Sequence, residues 1–118
     1  MLIERISAIT LKVTNMGRSV HFYKEILGLE VIYGGPHASF SSLRTAGARD
    51  AILNLEQGSS SSGWGRVIFH VRDVDEVWAH LKARGLDAQR PRDASWGERY
   101  FHLDDPDGNE LSFAKPLR

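Results

Sequence analysis

Four side chains on predicted strands or beside them combine the donor atoms that a transition metal prefers. They are two histidines and two glutamates: His70, His102, Glu56 and Glu110. Imidazole nitrogen together with carboxylate oxygen is a suitable donor set for such an ion. The chain has no cysteine, which excludes disulfides, thiolate metal sites and a cysteine nucleophile. The five histidines are too scattered to predict a catalytic triad, and spacing suggests no base beside Ser112.

A β-hairpin over residues 97–113 must position several of these side chains. Residues 100–103 alternate and are rich in aromatics, and Leu111 and Phe113 lie two apart on one face. Residues 105–108, Asp-Pro-Asp-Gly, are typical of a tight turn, because proline presets φ and glycine tolerates positive φ. The hairpin therefore carries both His102 and Ser112.

The rest of the chain predicts two halves with the same order of elements, a strand, a helix and three strands. In the first half they cover residues 9–13, 16–27, 29–33, 40–44 and 51–56, with a loop over 46–50. In the second half they cover residues 67–71, 74–85, 86–90, 97–103 and 111–113. Asn15 and Asp73 are the predicted N-caps of the two helices, and each helix is followed by a glycine.

These halves predict an internal repeat. Aligning Val13 with Val71 also aligns Asn15 with Asp73. We therefore expect a single α+β domain built from two β-α-β-β-β modules, with module one at 1–57, a Ser/Gly linker at 58–65 and module two at 66–118. Each module is too small to bury its own sheet face, so the modules must pack together or with another copy.

Composition excludes several classes of partner. The chain has 118 residues, of which 42% are hydrophobic and 25% charged, as in ordinary globular proteins. Fifteen basic residues balance fifteen acidic ones, so neither nucleic acid nor an anionic membrane is expected as a partner. No signal peptide or membrane-spanning run is recognisable, and the cytoplasm is the expected location.

The order of the motifs resembles that of the vicinal oxygen chelate superfamily, which contains glyoxalase I, bleomycin-resistance proteins and extradiol dioxygenases. The matching motifs are Leu-Lys-Val-Thr-Asn (11–15), Leu-Gly-Leu (27–29), Phe-His-Val-Arg-Asp (69–73), Trp-Gly (96–97) and Asp-Pro-Asp-Gly-Asn (105–109). The resemblance implies paired modules whose curled mixed sheets surround a ligand cavity, with the helices outside. It also implies a homodimer.

Enzymes of this superfamily hold a divalent metal through one ligand from each of four strands. By resemblance, those positions hold Ala8, Asn54, Arg66 and Ser112. Alanine has no donor atom, and the arginine guanidinium has no lone pair to give. Asn54 and Ser112 are neutral and poor ligands without a carboxylate beside them. We therefore expect neither a metal nor another cofactor.

A relocated metal site would use His70, His102, Glu56 and Glu110. Residues two apart in a strand lie about 7 Å apart, which puts such ligands near the cavity rim. This arrangement would make the protein a metal-dependent glyoxalase-type lyase or isomerase, or an extradiol dioxygenase. A third interpretation is a structural or regulatory dimer with a vestigial cavity.

Arg66 and Trp96 are the main ligand-binding candidates. Arg66 either replaces the metal charge and holds an anionic group, or pairs with Glu56 or Glu110 and fills the cavity. In bleomycin-resistance proteins the matching Trp-Gly motif stacks on the drug, which makes Trp96 a stacking platform that Phe40 would face. The alternative is that Trp96 covers a dimer surface.

The sequence thus predicts metal-independent binding of a small planar organic ligand by a cytoplasmic homodimer. The other expected cavity residues are Asn54, Ser112, His70, His102 and Glu56. A cationic glycopeptide such as bleomycin is disfavoured, because the chain is neutral and places Arg66 in the cavity. An uncharged or anionic aromatic compound fits better.

Overall fold

The computed structural model describes residues 2, 4–45, 51–59 and 62–118. The chain divides into two compact units, Met1–Ser61 and Ser62–Arg118. The predicted loop at 46–50 and residues 60–61 of the predicted linker lie outside the described residues. Within the described ranges, no helix is long and apolar enough to cross a membrane.

The first unit is a four-stranded mixed sheet with one helical segment. Its elements are β1 (Ala8–Val13), α1 (Met16–Val20), a π-helical continuation (His21–Ile26), β2 (Glu30–Tyr33), β3 (Phe40–Arg44) and β4 (Ile52–Gln57). The strand order is β1-β4-β3-β2. The β1–β4 pair is parallel and the other two pairs are antiparallel.

Strand alternation and helix capping explain these elements. Asn15 caps α1 by accepting a hydrogen bond from the backbone N–H of Arg18 at 3.0 Å. Alternate residues of β1, β3 and β4 are buried, including Leu11, Leu43 and Leu55. The buried helical residues are Met16, Ser19, Val20, Phe22 and Tyr23. The opposite face of the sheet carries polar side chains.

The second unit has the same arrangement. Its elements are β5 (Arg66–His70), α2 (Val74–Ala83), β6 (Arg92–Ala94), β7 (Glu98–Asp104) and β8 (Glu110–Pro116). The strand order is β5-β8-β7-β6, again with a parallel pair, β5 with β8, between the first and last strands. The Asp73 side chain accepts from the backbone N–H of Glu76 at 3.0 Å and caps α2, which lies against β7 and β8.

Aromatic packing forms the core of this second sheet. The rings of Phe69, Phe113 and Phe101 stack in sequence, with centroid separations of 5.6 and 5.0 Å. Leu103 and Leu111 are buried on the same face. The two mixed sheets and two helical segments confirm the predicted α+β class.

Two predicted elements differ from the structure. The strand expected over residues 86–90 is wrong, because the short strand of this region is β6, at Arg92–Ala94. Pro91 lacks a backbone N–H, and the ladder with β7 begins just after it, with Arg92 opposite Tyr100. The predicted helix over 16–27 changes after Val20 to π-helical geometry, in which the Leu27 N–H bonds the Phe22 carbonyl at 3.0 Å.

Candidate functional site

The sheet of the second unit carries a groove of about 350 Å³ on the face opposite its core. It is lined by Arg66, Ile68, Trp96, Glu98, Tyr100, His102 and Ser112. Because side chains alternate along a strand, the residues that flank the buried phenylalanines and leucines point to this face. The volume lies at the lower end of the range of about 300–1,000 Å³ typical of small-molecule sites.

One wall of the groove is a run of stacked rings. Trp96 and Tyr100 stack with centroids 5.6 Å apart and planes inclined by 29°. The imidazole of His102 follows at 5.1 Å from the Tyr100 ring. The Trp96 indole N–H donates to Glu98 at 3.2 Å, and the Tyr100 hydroxyl accepts from Arg92 at 2.8 Å. Trp96 is nevertheless 68% exposed, so its ring is oriented but uncovered.

The other end of the groove is a chain of four polar side chains. Ser112 Oγ lies 2.7 Å from Nδ1 of His102, and Nε2 of the same ring lies 3.4 Å from Nη1 of Arg66. Arg66 Nη1 also donates to Glu110 at 3.0 Å. Ser112 is buried at 4% exposure, whereas the side chains of Arg66 and Glu110 are both almost half exposed.

The environment keeps His102 neutral near pH 7. Burial lowers the pKa of His102 below its usual value of 6.5. The negative charge of Glu110 raises this pKa, and the positive charges of Arg66 and Arg92 lower it. Since the net shift is downward, the neutral imidazole, with one protonated and one unprotonated nitrogen, is the favoured form near pH 7.

In the first unit, Asn54 and Glu56 bond other side chains of their own sheet. The Asn54 side chain accepts from Ser42 Oγ at 2.6 Å and donates to Thr10 Oγ1 at 3.3 Å. Glu56 pairs with Lys12 on the adjacent strand. Phe40 is half-buried on β3. This face is therefore occupied by contacts among its own side chains.

The four positions that the superfamily resemblance assigns to metal ligands do not fit a divalent ion in this chain. Ala8 is exposed at the start of β1 and has no donor atom, and Arg66 is a cation paired with a carboxylate. Asn54 and Ser112 already bond their neighbours. In the described part of the chain, no three His, Cys, Asp or Glu side chains cluster in a way that could hold a metal ion.

Of the four residues proposed for a relocated metal site, the structure brings only His102 and Glu110 close together. His102 and Glu110 both approach Arg66, but its guanidinium cation occupies the place between them. His70 lies at the other end of β5, four residues from Arg66, or about 13 Å along the strand. Glu56 belongs to the first unit. In the second unit, His102 and Glu110 thus contact a cation, and His70 lies apart from them.

The sequence analysis did not pair Ser112 with a base, and it did not assign Tyr100 to the site. The register of the β7–β8 hairpin could have shown that His102 lies beside Ser112. Counting outward from the turn at 105–108, the ladder places Leu103 opposite Leu111 and His102 opposite Ser112. A cross-strand pair of this kind brings two side chains of one face together.

The comparisons with known proteins agree with this architecture. Residues 5–113 match the family described as the Glyoxalase/Bleomycin resistance protein/Dioxygenase superfamily. The chain therefore belongs to that superfamily, which confirms the resemblance found in its motifs. It is 27% identical, over 124 residues, to the uncharacterized protein YraH of Bacillus subtilis (strain 168), covering 92% of this chain and 96% of the relative.

Solved structures with the same fold include both a binding protein and an enzyme. The antibiotic binding protein TnmS3 from Streptomyces sp. CB03234 has a TM-score of 0.81 and 26% identity, with 98% of each chain covered. Lactoylglutathione lyase from Agrobacterium tumefaciens also has a TM-score of 0.81, with coverage of 97% of this chain and 95% of its own. At 18% identity, this second likeness concerns the fold alone.

Proposed function

We propose that the protein binds a small planar organic ligand in the groove of its second unit, without a metal, as a sequestration or antibiotic-resistance protein does. The observation that carries this proposal is the stacked Trp96–Tyr100 pair, which leaves an indole face open beside a polar end. The likeness to an antibiotic binding protein at 26% identity supports the same conclusion.

The stacking wall is preorganised for a flat molecule. Hydrogen bonds to Glu98 and Arg92 fix the two rings before any ligand arrives, which reduces the entropy lost on binding. Stacking of an aromatic ring on such a platform contributes about 1–3 kcal/mol, by analogy with nucleobases on aromatic side chains. The groove volume suits compounds of two or three fused rings.

The charge of the groove favours an uncharged ligand. Arg66 is the cation that the sequence analysis assigned either to an anionic group or to a glutamate, and the structure contains the Arg66–Glu110 pair. An anionic ligand would have to compete with this carboxylate. A neutral ring system leaves the pair intact.

The metal-dependent alternatives have weaker support, since the donor set does not fit a divalent ion. We expect that adding zinc, nickel, manganese or iron(II) to the purified protein will not raise its melting temperature, because an ion that bound the folded state would stabilise it by mass action. A stoichiometric ion found by elemental analysis would favour the lyase, isomerase or dioxygenase instead.

Calorimetric titration with naphthalene, fluorene and 9-fluorenone tests the binding proposal. Trp96→Ala should weaken the affinity for the tightest of these compounds by about 5- to 150-fold, the equivalent of one stacking contact. Trp64→Ala is the matched control, because Trp64 is 52% exposed and does not line the groove; it should change the affinity less than twofold. Failure of all three compounds to bind, or equal affinities in both variants, would reject the proposal.

We also propose a symmetric homodimer located in the cytoplasm. Exposed apolar side chains support self-association in each unit: Ile32 and Tyr33 on β2, and Ile68 and Trp96 in the second unit. Light scattering at micromolar concentration should give the mass of two chains, and cell fractionation tests the location. If Trp96 serves the dimer rather than a ligand, Trp96→Ala will make the dimer dissociate on dilution.

A further inference from the structure

The hydrogen bonds of His102 determine which of its nitrogens carries the proton. The guanidinium of Arg66 can only donate, so Nε2 of His102, 3.4 Å from Arg66 Nη1, must be an acceptor. A neutral imidazole with an unprotonated Nε2 carries its proton on Nδ1. His102 therefore has an Nδ1–H group, directed at Ser112.

This tautomer fixes the role of the Ser112 hydroxyl. The Nδ1–H of His102 donates to Ser112 Oγ at 2.7 Å, so the serine oxygen is the acceptor in this contact. Its own O–H is then left as a donor. Among the residues that the structure describes, His102 is the one side chain that hydrogen-bonds Ser112 Oγ.

A buried hydroxyl donor needs an acceptor. Ser112 is 4% exposed, and an O–H group removed from water without a partner costs about 1–3 kcal/mol. Its side chain lines the groove, beside the stacked rings. The polar groups on that wall accept from other donors, Glu98 from Trp96 and the Tyr100 hydroxyl from Arg92, and in the described part of the chain neither bonds Ser112.

We infer that the ligand is an aromatic carbonyl compound whose uncharged oxygen accepts a hydrogen bond from Ser112 while its rings stack on Trp96. This inference rests on the proposed function and deepens it. An exocyclic carbonyl projects beyond the ring edge and reaches a buried hydroxyl, whereas an aromatic amine would oppose donor to donor. His102 is a positioning residue, because it acts by holding the serine oxygen as an acceptor.

A pair of probes that differ in one group tests the inference. Fluorene and 9-fluorenone are both flat three-ring molecules, and only the second has a carbonyl. The wild-type protein should bind 9-fluorenone about tenfold more tightly than fluorene, the effect of one hydrogen bond that is otherwise left unmade. Ser112→Ala should abolish this preference, so that 9-fluorenone and fluorene bind the variant with affinities within threefold of each other.

The outcomes separate the inference from the proposed function. If both probes bind with less than a threefold difference, and Trp96→Ala weakens both, the groove binds flat ligands and the carbonyl inference is wrong. A preference that persists in Ser112→Ala also overturns it. If Trp96→Ala changes neither affinity, the proposed function itself fails.

A second measurement determines the tautomer of His102 in the wild-type protein, so it does not depend on whether a variant folds. Nitrogen-15 NMR at pH 7.5 distinguishes protonated from unprotonated imidazole nitrogens through their coupling to the ring protons. We expect His102 to show a protonated Nδ1 and an unprotonated Nε2. The opposite tautomer, or two protonated nitrogens, would overturn the inference, since Ser112 would then have to donate to His102 or would lie beside an imidazolium.

Discussion

The two sheets of this protein have the same strand order and differ in what their polar faces do. In the first unit, Asn54 bonds both Ser42 and Thr10, and Lys12 pairs with Glu56. In the second unit, Trp96 is held in orientation with one ring face open. A shared topology therefore supplies two scaffolds, and the side chains of one face decide which scaffold offers a site.

Asn54 and Ser112 make this difference specific, because the superfamily resemblance assigns both to metal-ligand positions. The amide of Asn54 uses its oxygen and its nitrogen on neighbouring side chains. Ser112 uses its oxygen on His102 and keeps a proton to donate. The first position contributes to the stability of its sheet, and the second contributes a polar group to a groove.

The largest expected effect comes from breaking the first sheet at Gly34. This glycine has φ of +74°, and a Cβ there would lie 2.3 Å from the carbonyl oxygen of Phe40. Gly34→Ala should lower the free energy of unfolding by at least about 1–2 kcal/mol from the left-handed conformation alone, with the clash adding to it. Urea denaturation measures the change.

Gly17→Ala is the matched control for this substitution. Gly17 lies in α1, and its added Cβ would meet only ordinary contacts at 3.5 Å. Since alanine favours a helix by about 1 kcal/mol over glycine, this variant should be as stable as the wild type or more stable. A Gly34→Ala protein as stable as the Gly17→Ala protein would show that the turn before β3 relaxes freely.

A smaller effect on stability should show that Asn54, unlike Ser112, does not belong to the ligand site. Asn54→Ala removes two side-chain hydrogen bonds, one half-buried and one exposed, and we expect a loss of about 1–2 kcal/mol in unfolding free energy. Its affinity for 9-fluorenone should stay within about twofold of the wild type. If that affinity instead falls tenfold, Asn54 belongs to the ligand site and the contrast between the two faces is wrong.

The two ion pairs allow a third comparison, with a still smaller effect. Glu110→Gln leaves the charge of Arg66 unpaired, so 9-fluorenone-4-carboxylate should bind about two- to fivefold more tightly, the scale of an exposed ion pair. Glu56→Gln, which breaks the equally exposed pair with Lys12, should leave this affinity unchanged. Equal gains in both variants would mean that overall charge, rather than Arg66, attracts the carboxylate.

The smallest effect concerns pH. The pKa of His102 is lower in the folded protein than its unfolded value near 6.5. As pH falls, the imidazole therefore becomes protonated in the unfolded chain at a higher pH than in the folded protein. The stability that neutral His102 contributes is present above pH 6.5 and is lost as pH falls through the folded pKa. Melting temperatures between pH 7.5 and 5 should decrease more steeply for the wild type than for His102→Gln; parallel curves would contradict this.

Local signals predicted much of this fold because they depend on near neighbours. Both N-caps, at Asn15 and Asp73, form as expected. The turn at 105–108 also forms, with the Asp105 carboxylate accepting from the backbone of Asp107 at 2.8 Å. The superfamily followed from the order of such motifs.

Features that depend on distant neighbours were not predictable in the same way. The π-helical turn after Val20 places Phe22 and Tyr23 in edge-to-face contact at 5.0 Å, which is a packing result that helical propensity does not encode. The superfamily resemblance assigned Arg66 and Ser112 to one cavity, but it did not predict the partner that each side chain would have. Only the register of β7 and β8 brings His102 to Ser112.

The strand order also determines when the strands of each sheet can pair during protein synthesis. In each unit the last strand, β4 or β8, lies between the first strand and the third. As the chain leaves the ribosome, β5 remains without its hydrogen-bonding partner until β8 has been made, and such delayed, non-local pairing is slow and exposes strand edges. The first unit meets the same delay earlier, because its last strand, β4, is synthesised before any strand of the second unit.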